Sequence, residues 1–250
     1  MRRVLTLLRG FGLDPVKLVR SLPRIPNYLY QFYRFSLLSR SFKLKVSPYL
    51  SDSTSNSGES RGHYFWQDLI TAQWIYQSNP TSHLDVGSRV DGFIAHLLCF
   101  REVSVLDLRT QPSKIEGLNF INGNAQAPLT NLLNSFESVS SLHSIEHFGL
   151  GRYGDPLDPM GHAKGLVSIS NCVKVEGFFY FSFPIGKSTI FFNEQRILDP
   201  LWAIDLLPNF KLVEFVLIPW TDPPIYDSTP NDFNVLEKGF CGLYKMKRIS

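Results

Sequence analysis

Residues 83–109, HLDVGSRVDGFIAHLLCFREVSVLDLR, decide how the chain folds. His83–Gly87 is a short apolar run that stops at a glycine. From Arg89 to Phe100, Phe93, Ile94, Leu97 and Leu98 recur at helical spacing, and Val103–Arg109 returns to a strand-like run. Strand, helix and strand in such a short span predict a βαβ unit, with parallel strands and a right-handed crossover.

The alternation continues outward. Leu118–Asn124 predicts a third strand, Asn131–Phe136 a short helix, and Ser138–Ser144 a fourth strand. Gly161–Lys174 predicts a helix and Gly177–Pro184 (GFFYFSFP) a fifth strand. Glu194–Leu207 predicts a further helix, followed by closing strands over Lys211–Pro219 and Gly242–Ile249, whose spacing suits an antiparallel pair at one sheet edge. Upstream, Phe65, Leu69, Ala72, Ile75 and Tyr76 place one amphipathic helix over His63–Asn79. The expected body is α/β, with a seven-stranded mixed sheet.

At 250 residues the chain is long enough to bury a core without disulfides or structural metals. Its hydrophobic share of 44% excludes wholesale disorder. No apolar run approaches the ~20 residues of a membrane span. The three cysteines, Cys99, Cys172 and Cys241, are scattered and lack a CxxC spacing, which favours a reducing, cytoplasmic compartment over a disulfide framework. Arg9 interrupts the apolar stretch Val4–Leu8 and no small-residue cleavage site follows, so a secretory signal is not expected.

The net charge of +3 conceals an asymmetry. Residues 1–50 carry ten Lys and Arg against the single acid Asp14, a balance of +9, whereas the other 200 residues carry 15 bases against 21 acids, a balance of −6. Asp14 and Pro15 open a helix that Pro23 and Pro26 break. Tyr28, Leu29, Phe32, Tyr33, Phe35 and Leu38 then predict a second helix, with Arg34 and Arg40 on its polar side. Residues 51–62, SDSTSNSGESRG, read as a flexible linker. The expected organisation is thus a basic amphipathic helical arm over 1–50, a Ser-rich linker over 51–62, and an α/β domain over 63–250. The arm suits either a cap on the acidic body or peripheral attachment to an anionic membrane surface. No nucleic-acid reading motif is present, so nucleic acid is not an expected partner.

Ligands of open parallel sheets bind beyond the carboxyl ends of the strands. Strand one delivers Asp85, Gly87, Ser88 and Gly92 there, without the GxGxxG of dinucleotide sites. Asp85 would repel a phosphate, so the loop suits a nucleoside ligand lacking one. Asp107, ending strand two, can accept hydrogen bonds from ribose hydroxyls, and Asn124-Ala125 after strand three can meet an adenine edge. Arg109 either pairs with Asp91 or Asp107 or lines the pocket.

These strand ends resemble the S-adenosylmethionine site of Rossmann-like class I methyltransferases. Leu142–His147 (LHSIEH) is similar to the xxLEH segment of those enzymes, and Val175-Glu176-Gly177 stands where they carry a Pro-Gly-Gly turn. The strings GHYFWQDL (62–69), LDVGSRVDGFIAHLLCFREVSVLDLR (84–109), SSLHSIEHFGLGRYGDPLDP (140–159), FSFPIG (181–186) and CGLY (241–244) resemble the domain of unknown function 268 family. The resemblance implies a class I methyltransferase fold and S-adenosylmethionine as cofactor, held by Asp85, Gly87, Ser88, Gly92, Asp107, Leu108, Asn124, Ala125 and His143. It further implies methyl transfer to a sugar hydroxyl of a glycan or glycan precursor. Asn124 departs from the aspartate common at its position, which weakens the expected adenine contact.

His143–His162 is rich in polar chemistry. Methyl transfer to a hydroxyl needs a base, and a neutral histidine suits that role. His147 is the expected base, with Glu146 orienting it or binding substrate, and Arg152, Tyr153 and Asp155 toward the acceptor. His143, His147, Asp155, Asp158 and His162 could together ligate a divalent ion. Yet a strand end and a turn do not secure the required geometry, so no metal is expected. His63 and His96 are expected to be structural, and Tyr64, Phe65 and Trp66 to pack a helix on the sheet. The alternatives are a non-catalytic nucleotide-binding or scaffold protein of a membrane-associated polysaccharide assembly, and, more weakly, a nicotinamide-dependent reductase.

Overall fold

The computed structural model describes residues 19, 21–39, 43–50, 60, 62–233 and 240–250, in two compact units, 1–59 and 60–250. In the first unit, helix α1 spans Ile25–Leu38, with Pro26 in its opening turn, where a missing N–H costs nothing. It follows a 3-10 turn at Leu22–Arg24. The helix expected to begin at Asp14, and most of the Ser-rich linker, lie outside the described residues. No described helix is long and apolar enough to cross a membrane.

The second unit is a Rossmann-like α/β fold. Its strands are β1 (His83–Val86), β2 (Val103–Asp107), β3 (Leu118–Asn122), β4 (Phe136–Leu142), β5 (Val173–Ile185), β6 (Thr189–Phe191), β7 (Gln195–Ile197), β8 (Phe210–Ile218) and β9 (Phe240–Arg248). Seven of them form one sheet in the order β3-β2-β1-β4-β5-β9-β8. The pairings from β3 through β5 are parallel, while β9 pairs antiparallel with both β5 and β8. The edge strand β8 therefore runs antiparallel to its neighbour, as expected. Strand order reverses between β1 and β4, which opens a crevice above their carboxyl ends.

Period-two alternation along β5 builds a core on each face of the sheet. Phe179, Phe181 and Phe183 join Leu84, Val86, Leu166 and Ile169 on one side. Tyr180 turns to the other side, with Ile70, Trp74, Ile75, Phe93 and Leu97. Helix α2 (His63–Ser78) covers this second face, burying His63, Gln67, Ile70, Thr71, Trp74 and Ile75 at helical spacing. It ends at Asn79 in the left-handed conformation, immediately before Pro80.

Four expected elements differ. The predicted short helix over Asn131–Phe136 is a 3-10 turn at Thr130–Leu132, and Phe136 already opens β4. The predicted helix over Arg89–Phe100 opens with a wide turn at Val90–Ile94, in which Gly92 leaves helical geometry, and only Ala95–Leu98 (α3) is regular. The predicted Gly161–Lys174 helix stops at Ser170 (α4), and Val175-Glu176-Gly177 belongs to β5 instead of a preceding turn. The predicted helix over Glu194–Leu207 is mostly not helical. Residues 195–197 pair with β6 in a hairpin, and only Trp202–Leu206 (α5) is helix. Pro200 removes a helical donor there, and the Arg196 side chain is buried against a loop that sequence alone does not place beside it.

Candidate functional site

The carboxyl ends of β1, β2, β3 and β4 enclose a cavity of about 480 Å3. Gly87, Ser88, Gly92, Asp107, Leu108, Asn124, Ala125, His143, His147, Arg152, Tyr153 and Asp155 all line it. Asp85 and Glu146 do not.

Gly87 is the pivot of the first loop. Its φ of 77° is the left-handed region, and a β-carbon there would collide with Ser144 Oγ. The loop is held from below. Asp85, fully buried, accepts from Ser88 N at 3.0 Å, Ser88 Oγ at 2.8 Å and Ser140 Oγ at 2.6 Å. Its expected contact with a ligand is thus replaced by a supporting one, because its oxygens are spent on the loop and on β4. Burial pushes its carboxyl up to about 6 despite these three donors.

Asp107 stands in the wall as expected, but Arg109 claims both of its oxygens. Oδ1 accepts from the Arg109 backbone N–H at 2.8 Å and from Nε at 3.0 Å, while Oδ2 accepts from Nη2 at 2.6 Å. The Arg109 guanidinium also lies 4.6 Å from the Tyr153 ring centre. Asn124 Oδ1 accepts from the Gln126 backbone N–H at 3.0 Å, so the expected adenine acceptor already has one partner. Asp155 accepts from the backbone N–H groups of Gly149 and Tyr153 and from Gln126 Nε2, at 2.7, 3.2 and 3.2 Å. It braces the glycine-rich loop while lining the cavity.

His147 sits at the end of a 3-10 turn, Ile145–His147. Its Nδ1 donates to Glu194 O at 2.7 Å, a bond only the protonated nitrogen can make, which leaves the Nε2 lone pair free as an acceptor. Arg152 Nη1 donates to the same carbonyl at 2.9 Å. Burial, and secondarily the Arg152 and His143 charges, hold the His147 imidazole below its usual range against the opposing pull of Glu146. Glu146 does not orient His147 as expected. Its Oε1 is 2.7 Å from His143 Nδ1 and 3.8 Å from His147 Nε2. The turn is fixed by Arg196, which donates to the carbonyls of Glu146 at 3.2 Å and Phe148 at 2.6 Å.

The candidate metal set is dispersed. Lys164 pairs with Asp158 at 2.6 Å, and His162 stacks on Trp202 with ring centres 5.0 Å apart. His63 is not merely a packing residue. Its ring stacks on His143, with centres 5.1 Å apart, and meets the Trp220 ring at a tilt, with centres 3.8 Å apart. Tyr64, expected only to pack, joins the cavity wall with Gln67 and Asp68 of α2, to which the sequence reading gave no role. Burial pushes the Asp68 carboxyl up to about 7 against the Gln67 hydrogen bond, and the nearby Asp85 adds to the rise. The signal that could have found them is the polar pair Gln67-Asp68 on the apolar face of a helix.

The family described as "Caenorhabditis protein of unknown function, DUF268" matches residues 107–216. No curated protein matches the chain. Among solved structures, the fold is similar to that of Burkholderia thailandensis 1,6-didemethyltoxoflavin-N1-methyltransferase, which has S-adenosylhomocysteine bound. The two share 13% identity and a TM-score of 0.51 over 74% of this chain and 79% of that one. The N-methyltransferase NodS of Bradyrhizobium japonicum WM9, in complex with S-adenosylhomocysteine, matches 76% of this chain and 89% of its own at 11% identity and a TM-score of 0.50. The cyclase SpnF matches 78% and 86% at 10% identity and a TM-score of 0.52.

Proposed function

We propose that the cavity binds S-adenosylmethionine and that the chain transfers its methyl group to a hydroxyl of a small acceptor, a sugar of a glycan or glycan precursor. The observation that carries this reading is the convergence of Gly87-Ser88, Asp107-Leu108, Asn124-Ala125 and His147 on one cavity at the reversal of strand order. The donor set suits the cofactor. A backbone without a side chain at Gly87 permits close approach, Asp107 is a hydroxyl acceptor, and Ala125, Leu106 and Phe148 give apolar wall for a purine. Asp68 offers a carboxylate to a ligand amine.

The bound cofactor would supply an electrophilic methyl group on sulfur. His147 Nε2 would take the proton of the acceptor hydroxyl as its oxygen becomes nucleophilic, with Glu194 O stabilising the imidazolium through Nδ1. Arg152 and Tyr153, beside His147, would flank the acceptor. Calorimetric titration with S-adenosylmethionine and S-adenosylhomocysteine tests the reading, and absence of binding to both overturns it.

A second reading, a non-catalytic nucleotide-binding or scaffold protein, is favoured by the closure of Asp107 by Arg109. Cofactor binding without turnover on any hydroxyl acceptor would support it. The basic arm, with its balance of +9, is read either as a cap on the acidic body or as a membrane-surface element. Flotation with anionic vesicles, with and without residues 1–50, decides between them.

A further inference from the structure

We propose that His63, His143 and Cys241 form a three-ligand site for a zinc-type divalent ion. The three residues come from α2, the end of β4 and β9, and the ligand atoms they offer lie within 4.8 Å of one another. His63 Nδ1 and His143 Nε2 are 3.2 Å apart, hydrogen-bonded to one another, a bond that the ion would replace as the His63 proton moves from Nδ1 to Nε2. Two imidazole nitrogens bound to one zinc ion at a tetrahedral angle are about 3.3 Å apart, so little movement is needed.

The surroundings favour a metal over a packed polar cluster. His143 points its other nitrogen, Nδ1, at Glu146 Oε1, 2.7 Å away. That carboxylate–histidine arrangement fixes the tautomer that puts a lone pair on Nε2, which accepts from His63 Nδ1 and could instead ligate an ion. Glu146 is fully buried, and its Oε2 has no partner among the described residues, an expense a lone hydrogen bond to one histidine does not offset. A cation on the far nitrogen of the same imidazole would give that charge a reason to be there.

Cys241 is fully buried, with Gln67 Oε1 3.8 Å from its sulfur. Two imidazoles and a thiolate select zinc over magnesium or calcium. Ion uptake would release the Cys241 thiol proton to solvent as the S–metal bond forms. Three protein ligands leave a fourth position for water or a substrate atom. His143 also lines the cavity, so the ion would adjoin the proposed transfer site while depending on none of its chemistry.

The test uses the full chain. Metal analysis of purified protein and cobalt(II) titration after chelation should give one ion per chain and a near-ultraviolet thiolate-to-cobalt band. Cys241→Ser and His63→Gln should each abolish the band, with folding monitored by circular dichroism. Cys99→Ser, at an exposed thiol, should leave it unchanged. Glu146→Gln should weaken uptake by about 10- to 100-fold while keeping the band. Failure of the chelated wild-type chain to take up cobalt or zinc would overturn the site, and so would a band that survives in folded Cys241→Ser. Because the readout is spectroscopic, it stands or falls separately from cofactor binding.

Discussion

His147 Nδ1 lies 2.7 Å from the carbonyl oxygen of Glu194, on the turn between β6 and β7. This single bond sets the tautomer of the proposed base and ties the cavity to a hairpin remote in sequence. Arg196, on the same hairpin, holds the carbonyls on either side of His147. The hairpin is thus the scaffold of the base.

His147→Ala should lower turnover by about 100- to 10,000-fold and leave cofactor affinity unchanged. Because its imidazole is held below the usual range, the acid limb of kcat/KM should fall below the ~6.5 of a free histidine. As pH drops through that lowered value the base protonates and the rate is lost. A profile with no such limb, or unchanged turnover in the variant, would remove His147 from the reaction.

Asp107 and Arg109 should respond in opposite directions. Removing a charged hydrogen-bond acceptor costs roughly 1.5–3 kcal/mol, so Asp107→Ala should weaken S-adenosylmethionine binding by about 10- to 100-fold. Arg109→Ala frees both carboxylate oxygens and should tighten binding. Calorimetry on the two variants checks the pair.

Asp68 should register ligand binding as proton release. With its carboxyl raised to about 7, it is largely protonated at pH 6.5, and pairing with a ligand amine would ionise it. Titration enthalpies should therefore vary with buffer ionisation enthalpy in the wild type and not in Asp68→Asn. The same raised value has a stability sign. The native carboxyl keeps its proton where the unfolded one, near ~3.9, has lost it, so its contribution is complete at low pH and disappears as pH rises through about 7. Relative to Asp68→Asn, the wild type should lose on the order of a few kcal/mol between pH 5 and 8 by chemical denaturation. Buried His63 and His83, each pushed down to about 3, act with the opposite sign in both proteins and cancel in the comparison.

Gly87→Ala should both destabilise the domain and impair binding. The left-handed backbone alone costs about 1–2 kcal/mol for a residue with a β-carbon. Gly87→Ala combined with Ser144→Gly removes the collision while keeping that backbone cost. Thermal denaturation should show partial recovery in the double variant and none beyond it.

The sheet was legible because its signals are local. Short apolar runs mark β1 through β5, and Gly87 marks the turn that a side chain would block. The position of the crevice followed from topology, since strand ends at a reversal face one crevice whatever their side chains. Chain order alone therefore determined a parallel α/β body, its crevice and most of the crevice wall. Tertiary structure decided which of the expected residues reach the wall and what each is free to do. Asp85 is drawn beneath it by Ser88 and Ser140, Glu146 by His143 in place of His147, and Asp107 in the wall is paired with Arg109. Hydrogen-bond partners are chosen by distance in space, and the stretch around Arg196, helical by its local pattern, is a hairpin whose guanidinium donates to carbonyls remote in sequence. The meeting of His63 with His143, 80 residues apart, and with Cys241 is of the same kind: no local pattern encodes it, and only the packing of α2 against β4 and β9 brings the three together.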